Sequence, residues 1–410
     1  MGEELPIDGA IRGWRYGILS DILADRGHRV TRWSPTFYLH KYQRAQANTT
    51  VEVRDNYIIK LIYVSGYRKP ISFERIRHYK ELAARYLKWA YQEDIPDIIL
   101  CGMPSPSMCV ASVEYSRKNR IPILIDVRDL WPDIFLDVVP VYLKAVARLY
   151  LWPAFRRNTY IFRHATGILG ITDRFTKWGL AYGHRERCPY DATFTHAYRE
   201  IKLDRDQVHQ EEDFLRAAGV NFNKPIACFF GSFEESYDLE TLIDAARIIY
   251  HQSGISMQFV LCGDGTKMSD LKKRASNITN VVFLGRVKQS TIKKIMDISS
   301  IGLACYVKGA THTLSNKVIE YFCGGLAVVA SKNAEIQEIL DINQCGLIYR
   351  PHDPENLAMV LISLMSSPQV LKSMKRNARL LYERDFAAEV VYGRMADHIE
   401  FVYNDYLKSK

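Results

Sequence analysis

The sequence predicts an α/β protein made of two doubly wound domains, each built around a parallel sheet. The chain of 410 residues is too long for one ordinary hydrophobic core and fits two domains of about 200 residues. Its apolar share of 48% and charged share of 25% are those of a folded globular protein. Short apolar runs alternate with helix-like segments along both halves, as expected for strands that are covered on both faces.

In the first half, residues 14–25 read as a helix and GHRVTRW (27–33) as a strand. Three further apolar runs predict strands, at PDIIL (96–100), PILIDV (122–127) and TGILGIT (166–172). Helical patterns lie around them, at 73–92, 107–117 and 141–164. This alternation predicts a doubly wound first domain.

The beginning of the chain departs from the usual order of such a domain, which is a buried strand, a glycine-bearing loop and a helix. Here Gly9 and Gly13 lie in the loop, and the strand that should precede Glu3 is missing. Loss of a central strand would leave its two neighbours without a pairing partner. We therefore expect that the natural start lies upstream.

The second half continues the alternation of strands and helices. Its predicted strands are PIACFFG, MQFVLCG, NVVFLG, IGLACY, LAVVAS and CGLIYR, each followed by a helical segment. The polar stretch 201–213 is the expected linker. We predict a first domain over 1–203, a second over 204–385, and a C-terminal helix over 386–410 that crosses back to the first domain.

The formal net charge of +9 lies in the first half, where residues 1–200 hold 30 Lys and Arg against 21 Asp and Glu. The remaining residues hold 25 of each. A basic half favours an anionic partner, either nucleic acid or a membrane surface. No zinc finger, aromatic RNA-binding motif or basic recognition helix is visible, so the sequence favours the membrane and predicts no nucleic-acid partner.

The cellular setting is predicted from what the sequence does not contain. No run of 18 apolar residues and no apolar leader occur, so neither a spanning helix nor a secretory signal is predicted. The eight cysteines form no CxxC pair and several lie in strand-like runs, which favours buried thiols over disulfides or zinc ligands. We expect a cytoplasmic protein.

The densest motif is Thr313-Leu-Ser-Asn-Lys-Val-Ile-Glu-Tyr-Phe-Cys-Gly-Gly325. Ser315 is a suitable N-cap for a short helix over 316–323, which Gly324 and Gly325 would end. The amides and dipole of that helix, together with Lys317, form an anion site that suits a diphosphate. Glu320, one turn further in, can accept hydrogen bonds from both hydroxyls of an attached ribose. The plainer alternative is an ordinary capped helix with a salt-bridged glutamate.

Glycines at three strand ends strengthen the first interpretation. Gly231 ends one strand, Gly263-Asp264-Gly265 the next, and Gly285-Arg286-Val287 the third. The carboxyl ends of parallel strands are where open α/β sheets bind ligands. Glycines at this edge let the backbone approach a nucleotide closely.

In this order and spacing, the motifs resemble family 4 of the retaining nucleotide-sugar glycosyltransferases, which have the two-domain GT-B fold. The resemblance covers roughly 225–390 strongly, including the tail from CGLIYRPHDPENLAM to LLYERDF. Asp126-Val-Arg-Asp-Leu-Trp-Pro132, with PIDG near the start, further resembles bacterial members that build surface polysaccharides and O-antigens. The resemblance implies two Rossmann-like domains facing across a cleft.

The resemblance also implies how the domains divide the work. The second would bind the nucleotide sugar and the first the acceptor, without a metal or other cofactor, because a helix N-terminus and basic side chains stabilise the leaving diphosphate. The donor-binding residues it implies share the carboxyl edge of the second sheet: Gly231, Ser232, Gly263, Gly265, Arg286, Val287, Thr313, Leu314, Ser315, Asn316 and Glu320. Lys317 is assigned to catalysis at the same edge.

Three positions differ from the family pattern. The first glutamate of the family's Glu-x7-Glu motif, which contacts the donor sugar, is assigned to Thr313. An arginine and a lysine that often follow the first donor-domain strand are replaced by Ser232 and Tyr237. The phosphate site would then rely on Lys317, backbone amides and Arg286.

In the first domain, Arg128 and Asp129 follow the strand PILIDV directly and are the other catalytic candidates. Arg128 would meet the diphosphate or an anionic acceptor, and Asp129 would orient an acceptor hydroxyl. The alternative is an ion pair that closes a loop. Asp8 and Gly9 are candidate acceptor or sugar contacts in the loop before the first helix.

Segment 141–164 mixes Tyr, Trp and Phe with Lys144, Arg148, Arg156, Arg157 and Arg163. Such a stretch can lie in a lipid headgroup interface, with its rings at the apolar boundary and its cations on phosphates. The alternative is an amphipathic helix that faces the core and has a solvated basic face. We expect peripheral association with the inner face of the plasma membrane.

Together, these features predict a hexosyl- or N-acetylhexosaminyl-type transferase. It would move a sugar from a nucleotide donor, UDP-linked by expectation, to a lipid-linked saccharide in polysaccharide or O-antigen synthesis. One alternative is a non-catalytic GT-B partner that binds nucleotide and supports an active transferase. A weaker alternative is a GT-B nucleotide-sugar epimerase, which would convert the donor without an acceptor.

Overall fold

The computed structural model describes residues 14–408 except 39–41, 44, 70–71, 104, 138, 253, 255 and 308–313. It divides into two compact units. The first contains residues up to Thr195 together with Val391–Lys410, and the second is His196–Val390. The first unit is therefore formed by two separate stretches of sequence, with the second unit inserted between them.

The first unit contains two main sheets. One has the order β1-β5-β4, with β1 (Val30–Pro35) parallel to β5 (Tyr57–Ile62) and β4 (Thr49–Arg54) antiparallel to β5. The other has four parallel strands in the order β6-β7-β8-β9. These are β6 (Ile99–Met103), β7 (Ile123–Val127), β8 (Gly167–Gly170) and β9 (Ala192–Thr193), and a hairpin is formed by β2 (Phe37–Tyr38) and β3 (Tyr42–Gln43).

Helices cover these sheets. They are α1 (Arg15–Asp25), α2 (Phe73–Ala90), α3 (Pro106–Asn119), α4 (Asp133–Asp137), α5 (Lys144–His164) and α6 (Asp173–Gly183). The side chain of Ser72 caps α2 by accepting from the backbone N–H of Arg75. Alternate residues of β7, Ile123, Ile125 and Val127, are fully buried in the core cluster to which α2, α3, α5 and α6 contribute.

The second unit has one continuous parallel sheet in the order β12-β11-β10-β13-β14-β15. The strands are β10 (Ile226–Phe230), β11 (Gln258–Cys262), β12 (Val281–Gly285), β13 (Ile301–Ala304), β14 (Ala327–Ser331) and β15 (Gly346–Tyr349). The order reverses between β10 and β13, which is the switch point where such sheets bind ligands.

The helices of this unit are α7 (Arg205–Ala217), α8 (Leu239–His251), α9 (Met268–Arg274), α10 (Gln289–Ile298), α11 (Asn316–Cys323), α12 (Ala334–Asn343), α13 (Pro354–Met365) and α14 (Pro368–Leu381). They cover both faces of the sheet. Cys228 and Phe230 of β10 enter one core cluster, and Ala227 and Phe229 enter the other. The alternation buries every β10 side chain, which explains its unbroken apolar sequence.

Two predictions about elements require correction. The predicted linker over 201–213 instead contains most of α7, whose first turn closes with a reciprocal capping box between Asp204 and Gln207. The first half is not wholly parallel as predicted, because β4 runs antiparallel to β5. The composition of α7 resembles that of a linker because the helix is largely exposed, with Leu215 its one fully buried residue.

The last helix, α15 (Ala388–Lys408), continues from the second unit into the first. From Val391 onward it belongs to the first unit, where Arg26 pairs with Asp397 at 2.7 Å and the hydroxyl of Tyr190 donates to Asp405 at 2.7 Å. Over the described residues, no single helix is long and apolar enough to span a bilayer. Only α13 and residues 368–386 meet that length and composition together, and they are bent by 96° at the break.

Candidate functional site

The candidate site lies at the carboxyl edge of the second unit's sheet. Gly231, Gly263 and Gly285 stand at the ends of the adjacent strands β10, β11 and β12, and a pocket of about 360 Å³ opens beside them. The pocket is lined by Phe230, Gly231, Ser232, Cys262, Gly263, Asp264, Arg286, Val287 and Ile292. Five of the predicted donor-binding residues, Gly231, Ser232, Gly263, Arg286 and Val287, therefore lie around one cavity.

Gly263 is required here by close backbone packing. Its φ of +145° is rarely adopted by other residues, and a Cβ at this position would lie 1.7 Å from the carbonyl oxygen of Gly231. A Cβ at Gly265 would lie 2.5 Å from the carbonyl oxygen of Phe233. The glycines thus allow the loops after β10 and β11 to pack directly against each other, which shapes one wall of the pocket.

Helix α11 begins at the same edge. Ser315 occupies the predicted N-cap position, but its side chain does not cap the helix and instead hydrogen-bonds the Tyr306 hydroxyl. The backbone N–H of Tyr306 is in turn held by the Ser331 hydroxyl at 2.9 Å. The first amides of a helix have no partner within it, so this end can donate to an anion.

Lys317, on the first turn of α11, is enclosed by aromatic rings. Its Nζ lies 3.5 Å from the ring centroid of Tyr237, 4.0 Å from that of Phe229 and 5.8 Å from that of Tyr306. The residue is 8% exposed, and among the described residues Nζ has no hydrogen-bond partner. A Cβ at Gly231 would lie 2.8 Å from this Nζ, so the amine directly abuts the pocket's glycine edge.

This environment changes the proton equilibrium of Lys317. Burial lowers the pKa of the amine to about 7, and it outweighs the opposite effects of Cys305 and Glu320. An unpaired buried amine costs free energy, whereas a neighbouring diphosphate would supply both hydrogen bonds and opposite charge. An anion beside Lys317 would therefore satisfy this amine and favour its charged form.

Glu320 and Arg286 differ sharply in exposure. Glu320 is 4% exposed on the same helix as Lys317, whereas Arg286 is 83% exposed on its side chain, with Nε 3.7 Å from Asp264. Burial restricts the side-chain freedom of Glu320, whereas the exposed Arg286 side chain would lose more conformational entropy on binding a ligand. Leu314 is buried, and Val287 packs against the core.

Residues 308–313 lie outside the described part of the chain, so the position of Thr313 is not described. Its assignment to the family motif is also wrong by one residue. Seven residues between the two motif positions, counted back from Glu320, lead to His312. Thr313 therefore does not correspond to the first glutamate of that motif.

The remaining candidates belong to the first unit. Arg128 follows β7, and its guanidinium lies 5.2 Å from the ring centroid of Tyr16. An Oδ of Asp129 accepts from the backbone N–H of Leu130 at 2.9 Å, and burial raises the pKa of this carboxyl despite that bond. Asp8 and Gly9 lie outside the described residues.

Sequence reasoning missed a buried charged cluster beneath Arg128. Asp126 of β7 is fully buried and accepts from Nε and NH2 of Arg15, both at 2.8 Å, and from the hydroxyl of Tyr16 at 2.7 Å. Desolvation would raise the pKa of Asp126, but Arg15, Tyr16 and Arg128 together hold it below its usual value. The available signal was an aspartate inside an apolar strand, which requires a partner.

Over the described residues, no group of three or more His, Cys, Asp or Glu side chains is arranged to hold a metal ion. All eight cysteines are free thiols, and seven of them are buried. Lys317, Arg286 and the amino end of α11 each contribute positive charge at the candidate site.

Comparison with protein families identifies the domain to which this site belongs. Residues 224–367, which contain the pocket, Lys317 and Glu320, match the family Glycosyl transferases group 1. Two curated relatives agree. One is an uncharacterized glycosyltransferase, MJ1069, of Methanocaldococcus jannaschii, 25% identical over 46% of this chain and 48% of that protein. The other is the amylovoran biosynthesis glycosyltransferase AmsK of Erwinia amylovora, 25% identical over 49% of this chain and 47% of that protein.

The match thus spans about half the length of each curated relative. Solved structures cover much more of the chain. Sucrose-phosphate synthase of Thermosynechococcus elongatus superposes with a TM-score of 0.65 at 15% identity, covering 96% of this chain and 92% of that one. HepE of Anabaena in complex with UDP superposes with a TM-score of 0.59 at 15% identity, covering 83% of this chain and 86% of that one.

WaaG, a glycosyltransferase involved in lipopolysaccharide biosynthesis, gives a TM-score of 0.58 at 14% identity over 94% of this chain and 95% of that one. These likenesses establish the fold. The chain therefore has the GT-B fold, built from two Rossmann-like units. More particularly, residues 224–367 of its second unit match the glycosyl transferases group 1 family, in agreement with the resemblance predicted for that region.

Proposed function

We propose that this protein transfers a sugar, with retention of its anomeric configuration, from a UDP-linked donor to a lipid-linked saccharide at the inner face of the plasma membrane. The observation that carries the proposal is the Lys317 amine at the amino end of α11, which lies beside the glycine-lined pocket and has no hydrogen-bond partner in the part of the chain that the structure describes. A nucleoside diphosphate supplies the negative charge that this arrangement lacks.

The donor would lie along the carboxyl edge of the second sheet. The loops at Gly231 and Gly263 would approach the diphosphate, while Glu320 would accept from the ribose hydroxyls. Arg286 would close over the nucleotide from the exposed side. Support for a uridine nucleotide comes from HepE, whose structure was determined with UDP.

Breaking the bond between the sugar and the diphosphate would leave an additional negative charge on the β-phosphate of the departing UDP. Lys317 and the α11 amides would stabilise that charge without a metal, because they are already directed at the site. Arg128 and Asp129 are proposed to act on the acceptor side, with Asp8 and Gly9 as further acceptor contacts. Asp129 is partly buried with a raised pKa, which suits a group that orients a hydroxyl or takes up its proton.

A membrane-bound acceptor is supported by the surface of α5 and the turn before it. Tyr142, Val146, Leu149 and Tyr150 are 65% to 81% exposed and recur at helical spacing, so they form one apolar stripe. Trp152 is 53% exposed, and the guanidinium of Arg156 lies 4.8 Å from its ring centroid. Exposed aromatic and aliphatic side chains bordered by arginines suit an anionic headgroup interface.

The apolar contribution comes from this stripe and Trp152. Phe155, although part of the same aromatic-rich segment, is half-buried and stacks on Tyr182 with 6.4 Å between ring centroids. Its ring is therefore committed to packing within the first unit. A lipid-linked product in cell-surface polysaccharide synthesis is in keeping with AmsK, a glycosyltransferase of amylovoran biosynthesis.

The test is a donor screen followed by a transfer assay. UDP and UDP-sugars should bind by calorimetry, and one UDP-sugar should be consumed faster when lipid-linked saccharides are supplied in anionic vesicles. NMR of the product should show the donor's anomeric configuration. Binding of UDP without turnover on any acceptor would instead favour the non-catalytic partner.

That second function is favoured by one observation. The loop after β10 has Ser232 and Tyr237 where the family often has an arginine and a lysine, so this loop supplies no cation. Glu320→Ala tests the nucleotide site that both functions share, since a charged hydrogen bond contributes about 1.5–3 kcal/mol. UDP affinity should fall by that amount under either function. Unchanged affinity would remove Glu320 from the site.

A further inference from the structure

The segment that leads from β7 into α4 is held by side chains of other helices. It covers residues 128–133 and contains Asp129, which the proposed function places on the acceptor side. We call this segment the β7 loop. Connecting segments are normally more mobile than the elements that they join. A loop that must present Asp129 in one place therefore needs contacts that fix it.

The first such contact comes from Asn158 of α5. Its side-chain Nδ2 donates to the backbone carbonyl of Trp131 at 2.6 Å. Asn158 is 1% exposed and lies on the buried face of α5 together with Ile161 and Phe162. At this position the helix therefore turns an amide toward the interior, and that amide holds the middle of the β7 loop.

Packing alone does not explain an asparagine at position 158. Its side-chain oxygen is buried and has no hydrogen-bond partner among the described residues. A buried acceptor without a partner costs free energy, whereas a leucine of similar size would fill the space without that cost. The asparagine therefore serves its bond to Trp131 rather than the packing of α5.

The far end of the β7 loop is held by α6. One carboxylate oxygen of Asp133 accepts from Nε1 of Trp178 at 3.0 Å and from the hydroxyl of Tyr182 at 2.6 Å. Burial and this carboxylate both raise the pKa of Tyr182, so its hydroxyl stays protonated and keeps donating near neutral pH. The loop is thus fixed at Trp131 by α5 and at Asp133 by α6.

Trp131 connects these contacts to Asp129. The guanidinium carbon of Arg75 on α2 lies 4.5 Å from the ring centroid of Trp131. Burial raises the pKa of the Asp129 carboxyl, and a hydrogen bond from the Trp131 side chain and the charge of Arg75 act in the opposite direction. The surroundings of Asp129 therefore depend on where Trp131 lies, and Asn158 holds Trp131 by its backbone.

We propose that Asn158 is a positioning residue for the acceptor side, which holds Trp131 and through it keeps Asp129 in place for the acceptor hydroxyl. The contact of Asp133 with α6 has the same role at the other end of the β7 loop. This inference rests on the proposed function, which assigns Asp129 to the acceptor. Because α5 also carries the exposed apolar stripe, one helix would set both the lipid contact and the position of the acceptor-side carboxylate.

The first test needs no acceptor. Isotope labelling of the indole nitrogens gives one NMR signal for each of the six tryptophans, and Trp131→Phe identifies the signal of Trp131. In the parent this signal should move with pH as Asp129 ionises, and Asp129→Ala should abolish that movement. Asn158→Leu should shift the signal toward its position in Asp129→Ala, because Trp131 no longer keeps its place beside the carboxylate.

Asn280→Leu is the matched control. Asn280 is also buried, its Nδ2 donates to the carbonyl of Ala246 at 2.9 Å, and its side-chain oxygen likewise has no partner among the described residues. Its partner belongs to α8, which carries none of the candidate site residues. Similar losses in the denaturant midpoint are expected for both variants, but only Asn158→Leu should move the Trp131 signal. An unmoved signal, or an equal shift in Asn280→Leu, would overturn the proposal.

The second test follows sugar transfer against pH, with the donor and lipid-linked saccharide that the transfer assay identifies. Asn158→Leu should lower kcat/KM by about tenfold to a hundredfold, the loss expected when a reacting group is misplaced. The acid limb of the profile should also move to higher pH, because Asp129 loses a bond that lowers its pKa. UDP affinity, which belongs to the second unit, should not change. An equal loss of rate at every pH would mean a merely structural role and would contradict the proposal.

The two tests separate this inference from the proposed function. Absence of transfer by the parent would refute the proposed function, and the Trp131 signal would still decide whether Asn158 positions the loop. If Asn158→Leu fails to fold, Trp178→Phe combined with Tyr182→Phe keeps both rings and removes both donors to Asp133. The Trp131 signal should then shift in the same direction as expected for Asn158→Leu. No shift in that double variant would overturn the proposal.

Discussion

The two units are built from the same alternation of strands and helices, yet their sheets differ. The second unit has six parallel strands joined edge to edge, from β12 to β15. Over its described residues, the first unit has two main sheets and a two-stranded hairpin, with a cavity lined by residues of β1 and β6. Backbone pairing holds the second sheet together, whereas the two sheets of the first unit are connected through helices and side chains.

One such connection is the buried cluster of Arg15, Tyr16 and Asp126. It joins α1, which leads into the three-stranded sheet, to β7 of the four-stranded sheet. In the second unit, the comparable central strands β10 and β13 pair directly. The first unit should therefore depend more strongly on a single side-chain pair than the second does.

The largest expected effect follows from breaking that pair. Arg15→Met leaves Asp126 charged and buried, and loss of one partner of a buried pair costs about 3–5 kcal/mol. The unfolding transition of the first unit should move to lower denaturant, while UDP binding to the second unit is retained. The control Arg29→Met removes an exposed pair with Asp94 and should cost less than about 1 kcal/mol. Equal costs would show that α1 does not hold the two sheets together.

The pH dependence of this pair has a definite sign. The folded-state pKa of Asp126 lies below its ordinary value. The ionised carboxylate therefore adds to the free energy of unfolding above about pH 4, and this contribution is lost as the pH falls through the folded-state pKa. The parent should therefore lose stability in acid more steeply than Asp126→Asn, as measured by denaturant midpoints from pH 7 to pH 3. If the denaturant midpoints of the parent and of Asp126→Asn fell equally with pH, the lowered folded-state pKa of Asp126 would be contradicted.

The lowered pKa of Lys317 predicts a pH dependence for the second unit as well. Its folded pKa of about 7 lies below the ordinary 10.5, so the folded state binds fewer protons between these values and stability should rise with pH over that interval. A bound diphosphate favours the charged amine, so UDP binding above pH 7 should take up a proton and weaken as pH rises. Calorimetry in buffers of different ionisation enthalpy measures this uptake.

Lys317→Met should abolish the proton uptake and weaken UDP binding by about 1.5–3 kcal/mol. The matched control is Lys375→Met. Lys375 is also a lysine whose pKa burial lowers, but its Nζ donates to the carbonyl of Ser299 at the opposite edge of the same sheet. If the Lys375 variant lost the proton uptake and the Lys317 variant kept it, the anion site would be misassigned.

A smaller effect should distinguish the surfaces of the two units. Arg156→Glu with Arg157→Glu on α5 should weaken binding to anionic vesicles by about 2 kcal/mol or more, since each basic residue near the surface contributes about 1 kcal/mol. Binding should decline with salt without vanishing, because the apolar stripe is insensitive to screening. Lys272→Glu with Lys273→Glu makes the same charge change in the second unit. Co-sedimentation that falls equally for both pairs would indicate a general charge effect.

The smallest expected effect is that of a chelator. Since side chains and the α11 amides supply the positive charge at the proposed site, sugar transfer should be unchanged by excess chelator. The measurement is product formation with and without chelator, followed by addition of Mn²⁺ or Mg²⁺. Loss of transfer with recovery on adding metal would refute this mechanism.

The sequence predicted the second unit more fully than the first. Continuous apolar runs located its strands, and the motif at 315–325 located α11 at Asn316–Cys323, because strands covered on both faces and a glycine-ended helix leave local signals. The bond between Ser315 and Tyr306 and the ring enclosure of Lys317 had no such signal. They depend on residues that folding brings together from β10, the loop after it and the segment that follows β13.

In the first unit, the features that the sequence could not predict depend on interactions between residues that are far apart in the sequence. Arg15 looked like an ordinary helical arginine, and its partner lies 111 positions later in the sequence. The cavity lined by residues of β1 and β6 depends on how α1, α3 and α15 pack, which no local pattern records. The apolar runs of both units are similar in kind, so periodicity alone could not reveal the difference.

The insertion of the second unit between Thr195 and Val391 has a practical consequence for anyone who dissects this protein. A truncation near residue 390 removes the portion of α15 that pairs with Arg26 and Tyr190, and so injures the first unit rather than trimming a tail. Conversely, residues 196–390 form a contiguous gene fragment that could be expressed separately. A premature stop codon in the last twenty codons should thus behave genetically as a lesion of the amino-terminal half.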